Sequence, residues 1–129
     1  MILVDTWAWI EFLRDTGSPA CLRVDELLAV GISTCGPVRM EVLAGARDER
    51  HLDDLRRLLA RAALLPTGAT DYEDAAALYR TCRRQGGTVR RMTDCRIAAV
   101  AIHTGSPLLH ADAGFDVLAR HTPLVVDRP

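Results

Sequence analysis

At 129 residues, with 49% hydrophobic content and a net charge of −1, the chain has the size of one domain and enough apolar material for a core. All 16 basic residues are Arg; without Lys there is no P-loop and no two-component receiver domain, since each needs a Lys at its phosphate. No apolar stretch is long enough to span a membrane, and Met1-Ile2-Leu3-Val4 meets Asp5 without a basic lead-in, so the expectation is a cytoplasmic protein without a signal peptide.

Short apolar runs alternate with helical patterns along the chain. A strand is predicted near 2–5, ending in Asp5, and a helix near 7–14. Trp7, Trp9, Ile10, Phe12 and Leu13 crowd that helix. A helix has one inward stripe, so part of this set faces outward as a surface for a partner or a second copy. A helix near 19–30 stops at Gly31, and a strand follows near 31–35. Gly36-Pro37 opens a helix near 37–46, which carries Glu41. A helix near 50–63 bears Asp53-Asp54 as surface charge, followed by a weaker strand candidate at 63–66. The helix near 70–85 takes Thr70 or Asp71 as N-cap, with Asp71 otherwise a surface charge, and ends before Gly86. The helix near 93–104 starts at Thr93-Asp94 and is almost uniformly apolar after Arg96, which predicts burial. A strand near 107–110 leads to Asp112 and a helix near 113–119. A last strand is predicted near 123–126, with a frayed tail Asp127-Arg128-Pro129. The alternation predicts an α/β fold with a mostly parallel central sheet flanked by helices, in one domain over 1–129.

The carboxylates carry the functional signal. Asp5, Glu41, Asp94 and Asp112 each fall just past a predicted strand or near a helix start. In a parallel sheet those ends share one edge, where ligands bind. Several carboxylates stay ionised together only around a cation, and hard oxygen donors suit Mg²⁺ or Mn²⁺. Such ions polarise phosphates and activate water, which points to phosphodiester hydrolysis. Between Leu78 and Ile97 stand Arg80, Arg83, Arg84, Arg90, Arg91 and Arg96 against the single acid Asp94. Four of them flank Gly86-Gly87, and a phosphate backbone needs such a basic segment beside the acids. A solvated helix end remains the alternative for any one Arg.

Other chemistries fit poorly. Ser18, Ser33 and Ser106 lie in no G-x-S-x-G elbow, and no G-x-G-x-x-G follows a strand. An aspartyl-phosphate phosphatase needs an acid two residues after the first Asp, where Trp7 stands. Among His51, His103, His110 and His121, no pair has the spacing of a zinc enzyme. His110 is expected to pack or to orient a neighbour. Cys21, Cys35, Cys82 and Cys95 form no C-x-x-C pair and read as buried reduced thiols.

Four segments together resemble the PIN-domain ribonucleases, and within them the VapC-type toxins of bacterial toxin–antitoxin pairs. They are Val4-Asp5-Thr6-Trp7-Ala8-Trp9-Ile10, Pro37 to Gly45, Thr93-Asp94-Cys95-Arg96-Ile97-Ala98-Ala99, and Leu108-Leu109-His110-Ala111-Asp112-Ala113-Gly114-Phe115-Asp116. The resemblance implies a three-layer PIN-like fold, an acidic pocket of Asp5, Glu41, Asp94 and Asp112 dependent on Mg²⁺ or Mn²⁺, and endonucleolytic cleavage of RNA. It also implies a cognate VapB-type antitoxin and a homodimer. Thr6, Arg83, Arg84, Arg90, Arg91 and Arg96 are the candidate substrate contacts. Two positions depart from the family pattern: Trp7 replaces a small polar residue, and Gly114 replaces a second acid; Asp116, at helical spacing from Asp112, is either an auxiliary acid in its place or a solvent-facing charge. The same fold also admits a non-catalytic RNA-binding or protein-interaction module, and a housekeeping RNA-processing nuclease.

Overall fold

A computed structural model describes all 129 residues. Four short strands, β1 (Ile2–Val4), β2 (Ile32–Thr34), β3 (Ala63–Leu64) and β4 (Leu108–Leu109), form one sheet in the order β3-β2-β1-β4. Every pair is parallel, with Leu3 opposite both Ser33 and Leu108. Because parallel neighbours need crossovers, helices fill the intervals: α1 (Thr6–Leu13), α2 (Pro19–Val30), α3 (Gly36–Ala44), α4 (Glu49–Leu59), α5 (Thr70–Arg84), α6 (Met92–Thr104) and α7 (Ala113–His121). The group α1–α4 and the group α5–α7 pack with the sheet in a three-layer α/β arrangement.

The central strands are apolar because both their faces are covered. Leu3, Val4, Leu108 and Leu109 are fully buried, as are Trp9 on α1 and Phe115 on α7. Helix α6 buries an unbroken run from Ile97 to Ala101, as its composition predicts. Ser18 caps α2 through Cys21 N–H, and Gly105 closes α6 in the left-handed region at φ 67°. All four cysteines are buried and free.

Several expectations change. The strand predicted at 123–126 is a single parallel bridge between Leu108 and Val126; Pro123 has no N–H to extend it. The tail is tied at Asp127, whose N–H donates to the Leu108 carbonyl at 2.8 Å. Its carboxylate also accepts from Arg23 Nε at 2.9 Å and from Nη2 at 3.1 Å. Helix α4 stops at Leu59, short of the predicted 63, because Ala63–Leu64 joins the sheet. Thr70 caps nothing, since α5 follows Ala69, and α6 starts at Met92 after Arg91, one residue before Thr93, with no side-chain cap on either helix. Asp71 is no surface charge but fully buried. Its Oδ2 accepts from Gly68 N–H at 2.7 Å, and Oδ1 lies 3.4 Å from His103 Nδ1. Asp71 thus closes the loop that carries Thr67 onto the start of α5, its other oxygen facing the end of α6.

Candidate active site

The carboxyl ends of β1 and β4 position the first acid. Asp5 N–H donates to the Leu109 carbonyl at 3.0 Å, and Asp5 Oδ1 caps α1 by accepting from Ala8 N–H at 2.8 Å. The other oxygen, Oδ2, is buried without a partner. Asp94 stands in the first turn of α6 and is 4% exposed. Asp112 caps α7, its Oδ1 accepting from Gly114 N–H at 3.1 Å. Glu41 projects from the second turn of α3 and is the best satisfied of the four. Thr6 Oγ1 donates to its Oε1 at 2.7 Å, and Arg91 Nη2 pairs with its Oε2.

Electrostatics separates these acids. Burial pushes the Asp5 carboxyl up to about 7, the Ala8 N–H opposing this and the charges of Asp94 and Asp112 adding to it. Burial likewise pushes Asp94 up to about 6, Asp112 and Glu41 raising it further while Arg91 opposes. Glu41 has a cation in ion-pair contact, whereas Asp5, Asp94 and Asp112 have none. Three carboxylates close enough to repel, one with an orphaned buried oxygen, have the donor chemistry a hard divalent cation needs. They are not drawn into a closed cage: no group of three or more His, Cys, Asp or Glu side chains is gathered as a metal-holding cluster. Mg²⁺ fits such an open set, because it keeps much of its own water and takes few protein ligands.

Gly114 is more than a missing acid. A Cβ there would fall 2.9 Å from Asp94 Oδ2 and 3.8 Å from Asp112 Oδ1. Glycine is what lets α7 start against the Asp94 carboxylate. Only its place two residues after Asp112 signals this in the sequence.

The remaining candidates divide. Thr6 is buried and its hydroxyl donates to Glu41, so it positions that acid. Arg91 neutralises Glu41. Arg96 lies over the Tyr72 ring, its Cζ 3.3 Å from the centroid. Arg83, Arg84 and Arg90 stand at the end of α5 and in the loop after it, in no ion pair, and Arg83 sits over Tyr79 at 5.6 Å. Asp116 is exposed and turned to His110, its Oδ1 3.5 Å from Nε2. His110 Nδ1 accepts from Asp112 N–H at 3.2 Å and the ring packs on Phe115, so this histidine orients the Asp112 backbone. Tyr72 carries no weight in the sequence reading, since one exposed aromatic leaves no periodic signal.

A family model described as PIN domain matches residues 2–121. Among curated proteins, the chain is 47% identical to "Ribonuclease VapC11" of Mycobacterium tuberculosis over 128 residues, 96% of each chain. It is 31% identical to "Ribonuclease VapC18" of the same organism over 122 residues, 92% of this chain and 88% of that one. Among solved structures, VapBC2 from Rickettsia felis bound to a promoter DNA fragment superposes with a TM-score of 0.78 at 17% identity, covering 98% of both chains. VapBC-1 from nontypeable Haemophilus influenzae gives 0.77 at 19%, covering 99% of this chain and 98% of that one. At those identities the structural likeness speaks for the fold.

Proposed function

The chain belongs to the PIN domain family, and from that premise we propose that it is an endoribonuclease, the toxin of a toxin–antitoxin pair, working at Asp5, Asp94 and Asp112 with Mg²⁺ or Mn²⁺. The observation that carries the site assignment is the cluster of unpaired acids at the carboxyl edge of the sheet, with Asp5 Oδ2 buried and unbonded. The ribonuclease reading draws on the named VapC relatives, and a VapB-type antitoxin as partner on the VapBC structures. No helix is long and apolar enough to cross a membrane, and a cytoplasmic location accompanies the reading.

When bound, the cation supplies Lewis acidity that lowers the pKa of water and neutralises phosphate oxygens. The chain's own residues do the rest. Asp5, fixed by its α1 cap, and Asp94, in the first turn of α6, would hold the ion. Asp112, set by its own cap, orients water on the open side. Glu41, fixed by Thr6 and neutralised by Arg91, shapes the far wall. Arg83, Arg84 and Arg90 offer unpaired charge to the RNA backbone. Trp7 and Leu13, 40% and 43% exposed on α1, suit contact with a second copy of the chain.

No pair of histidines stands ready to relay protons through the RNA 2′-hydroxyl: His110 is half-buried and engaged with Asp112 N–H. Hydrolysis by water leaves a 5′-phosphate and a 3′-hydroxyl. Cleavage of an RNA with and without excess EDTA, with end-group analysis, tests this. A 2′,3′-cyclic phosphate, or cutting that persists in EDTA, overturns the metal reading. Equal RNA binding by an inactive, metal-insensitive protein would support a binding module.

A further inference from the structure

Beside Asp94 lies a cleft of about 400 Å³ that the acids and the exposed arginines leave unused. Its walls come from the starts of α3, α5 and α6, and include Met40, Thr67, Tyr72, Met92, Thr93 and Arg96. Two of these adjoin acids of the site in sequence, Met40 before Glu41 and Thr93 before Asp94. None of the four acids lines the cleft itself, but Thr93 and Arg96 flank Asp94 on α6, so the cleft opens at the helix start that carries that acid. Tyr72 is 64% exposed, Met40 61% and Met92 51%. The Arg96 guanidinium covers one face of the Tyr72 ring, 3.3 Å from its centroid, and Arg96 Nε is buried with no acceptor.

Resting on the ribonuclease reading, we propose that this cleft is a nucleobase subsite that takes one unpaired base beside the scissile phosphate. Tyr72 and Arg96 form a ready-made stack, and a base extends such a stack whatever its identity. The two methionines conform to a flat apolar face. The hydroxyls of Thr67 and Thr93 present donors and acceptors to the polar rim of a base. The flat Arg96 guanidinium over the Tyr72 ring gives the cleft a cationic, aromatic platform that matches the planar face of a base. An aliphatic peptide side chain has no planar face to lay on that platform. Asp71 holds the pocket shape by bonding Gly68 N–H next to Thr67.

The test is equilibrium binding of a fluorescent oligoadenylate, roughly 12 nucleotides long, in EDTA so that it is not cut. Tyr72→Ala should weaken binding about tenfold, and Tyr72→Phe, which keeps the ring, should stay within about twofold of wild type. An abasic ribose-phosphate probe of equal length should bind wild type and Tyr72→Ala alike. The salt slope should not change, since every cation facing the phosphates is still in place. An oligoadenylate affinity unaltered in Tyr72→Ala overturns the subsite, as does an equal loss on the abasic probe or an effect confined to antitoxin binding. If wild type cuts RNA and only these comparisons fail, the subsite alone falls. If wild type neither binds the probe nor cuts RNA, the ribonuclease reading falls with it.

Discussion

A methyl group at position 114 would meet the Asp94 carboxylate at 2.9 Å, with helix α7 backbone on one side and buried α6 on the other. Gly114→Ala should therefore shift Asp94 while leaving the fold intact. Mg²⁺ affinity, read by calorimetry, should drop by roughly tenfold, as for disturbed supporting groups at metal sites. Asp94→Asn removes the charge without changing the shape. Cleavage should fall by at least about a hundredfold with the circular dichroism spectrum retained; wild-type turnover would exclude Asp94 from the site. The buried acids also set a pH dependence. Asp5 and Asp94 are raised from 3.8 to about 7 and about 6, so the folded protein binds more protons than the unfolded chain across that window. Stability of the metal-free protein must then fall as pH rises from near 4 to near 7. Asp5→Asn should flatten this decline in melting temperature, and saturating Mg²⁺ should oppose it by binding the charged forms. Of these residues the sequence disclosed the acids, because strand ends and helix starts are readable from apolar runs. It hid the approach of Gly114 to Asp94 and the burial of Asp71, because both depend on which helix lies opposite, a property of packing that no local pattern encodes.

At the scale of elements, seven helices were legible from periodicity and their glycine stops, and the sheet from its apolar runs. The misread pieces are those where tertiary packing overrides local preference. The helix predicted to 63 ends at Leu59, giving way to the strand candidate at 63–66, which forms as β3, and 123–126 contributes one bridge. Helix α5 lies antiparallel against α6, Asp71 beside His103, so its basic end lies toward the start of α6, where Asp94 stands. Replacing Arg83, Arg84 and Arg90 by Gln should reduce the salt slope of RNA binding by roughly 2, about 0.7 for each single-strand phosphate no longer neutralised. The melting temperature should hardly change, because exposed charges contribute little. A slope identical to wild type would place these three away from the RNA path. Arg91 is left out of that set, since it neutralises Glu41 and its replacement would disturb the pocket itself.

Across the whole molecule, the sheet order makes the active edge a joint product of distant chain. β1 is central, yet its partner β4 is synthesised about 100 residues later, which takes on the order of 5–20 s on the ribosome. Asp5 N–H cannot reach the Leu109 carbonyl, nor Asp94 meet the start of α7, until that late segment docks. The clasp of Arg23 on Asp127 comes later still. Topology thus acts as a clock: for most of its synthesis the polypeptide carries its acids without assembling them. Any activity that needs this acidic edge therefore begins only when the chain is nearly complete.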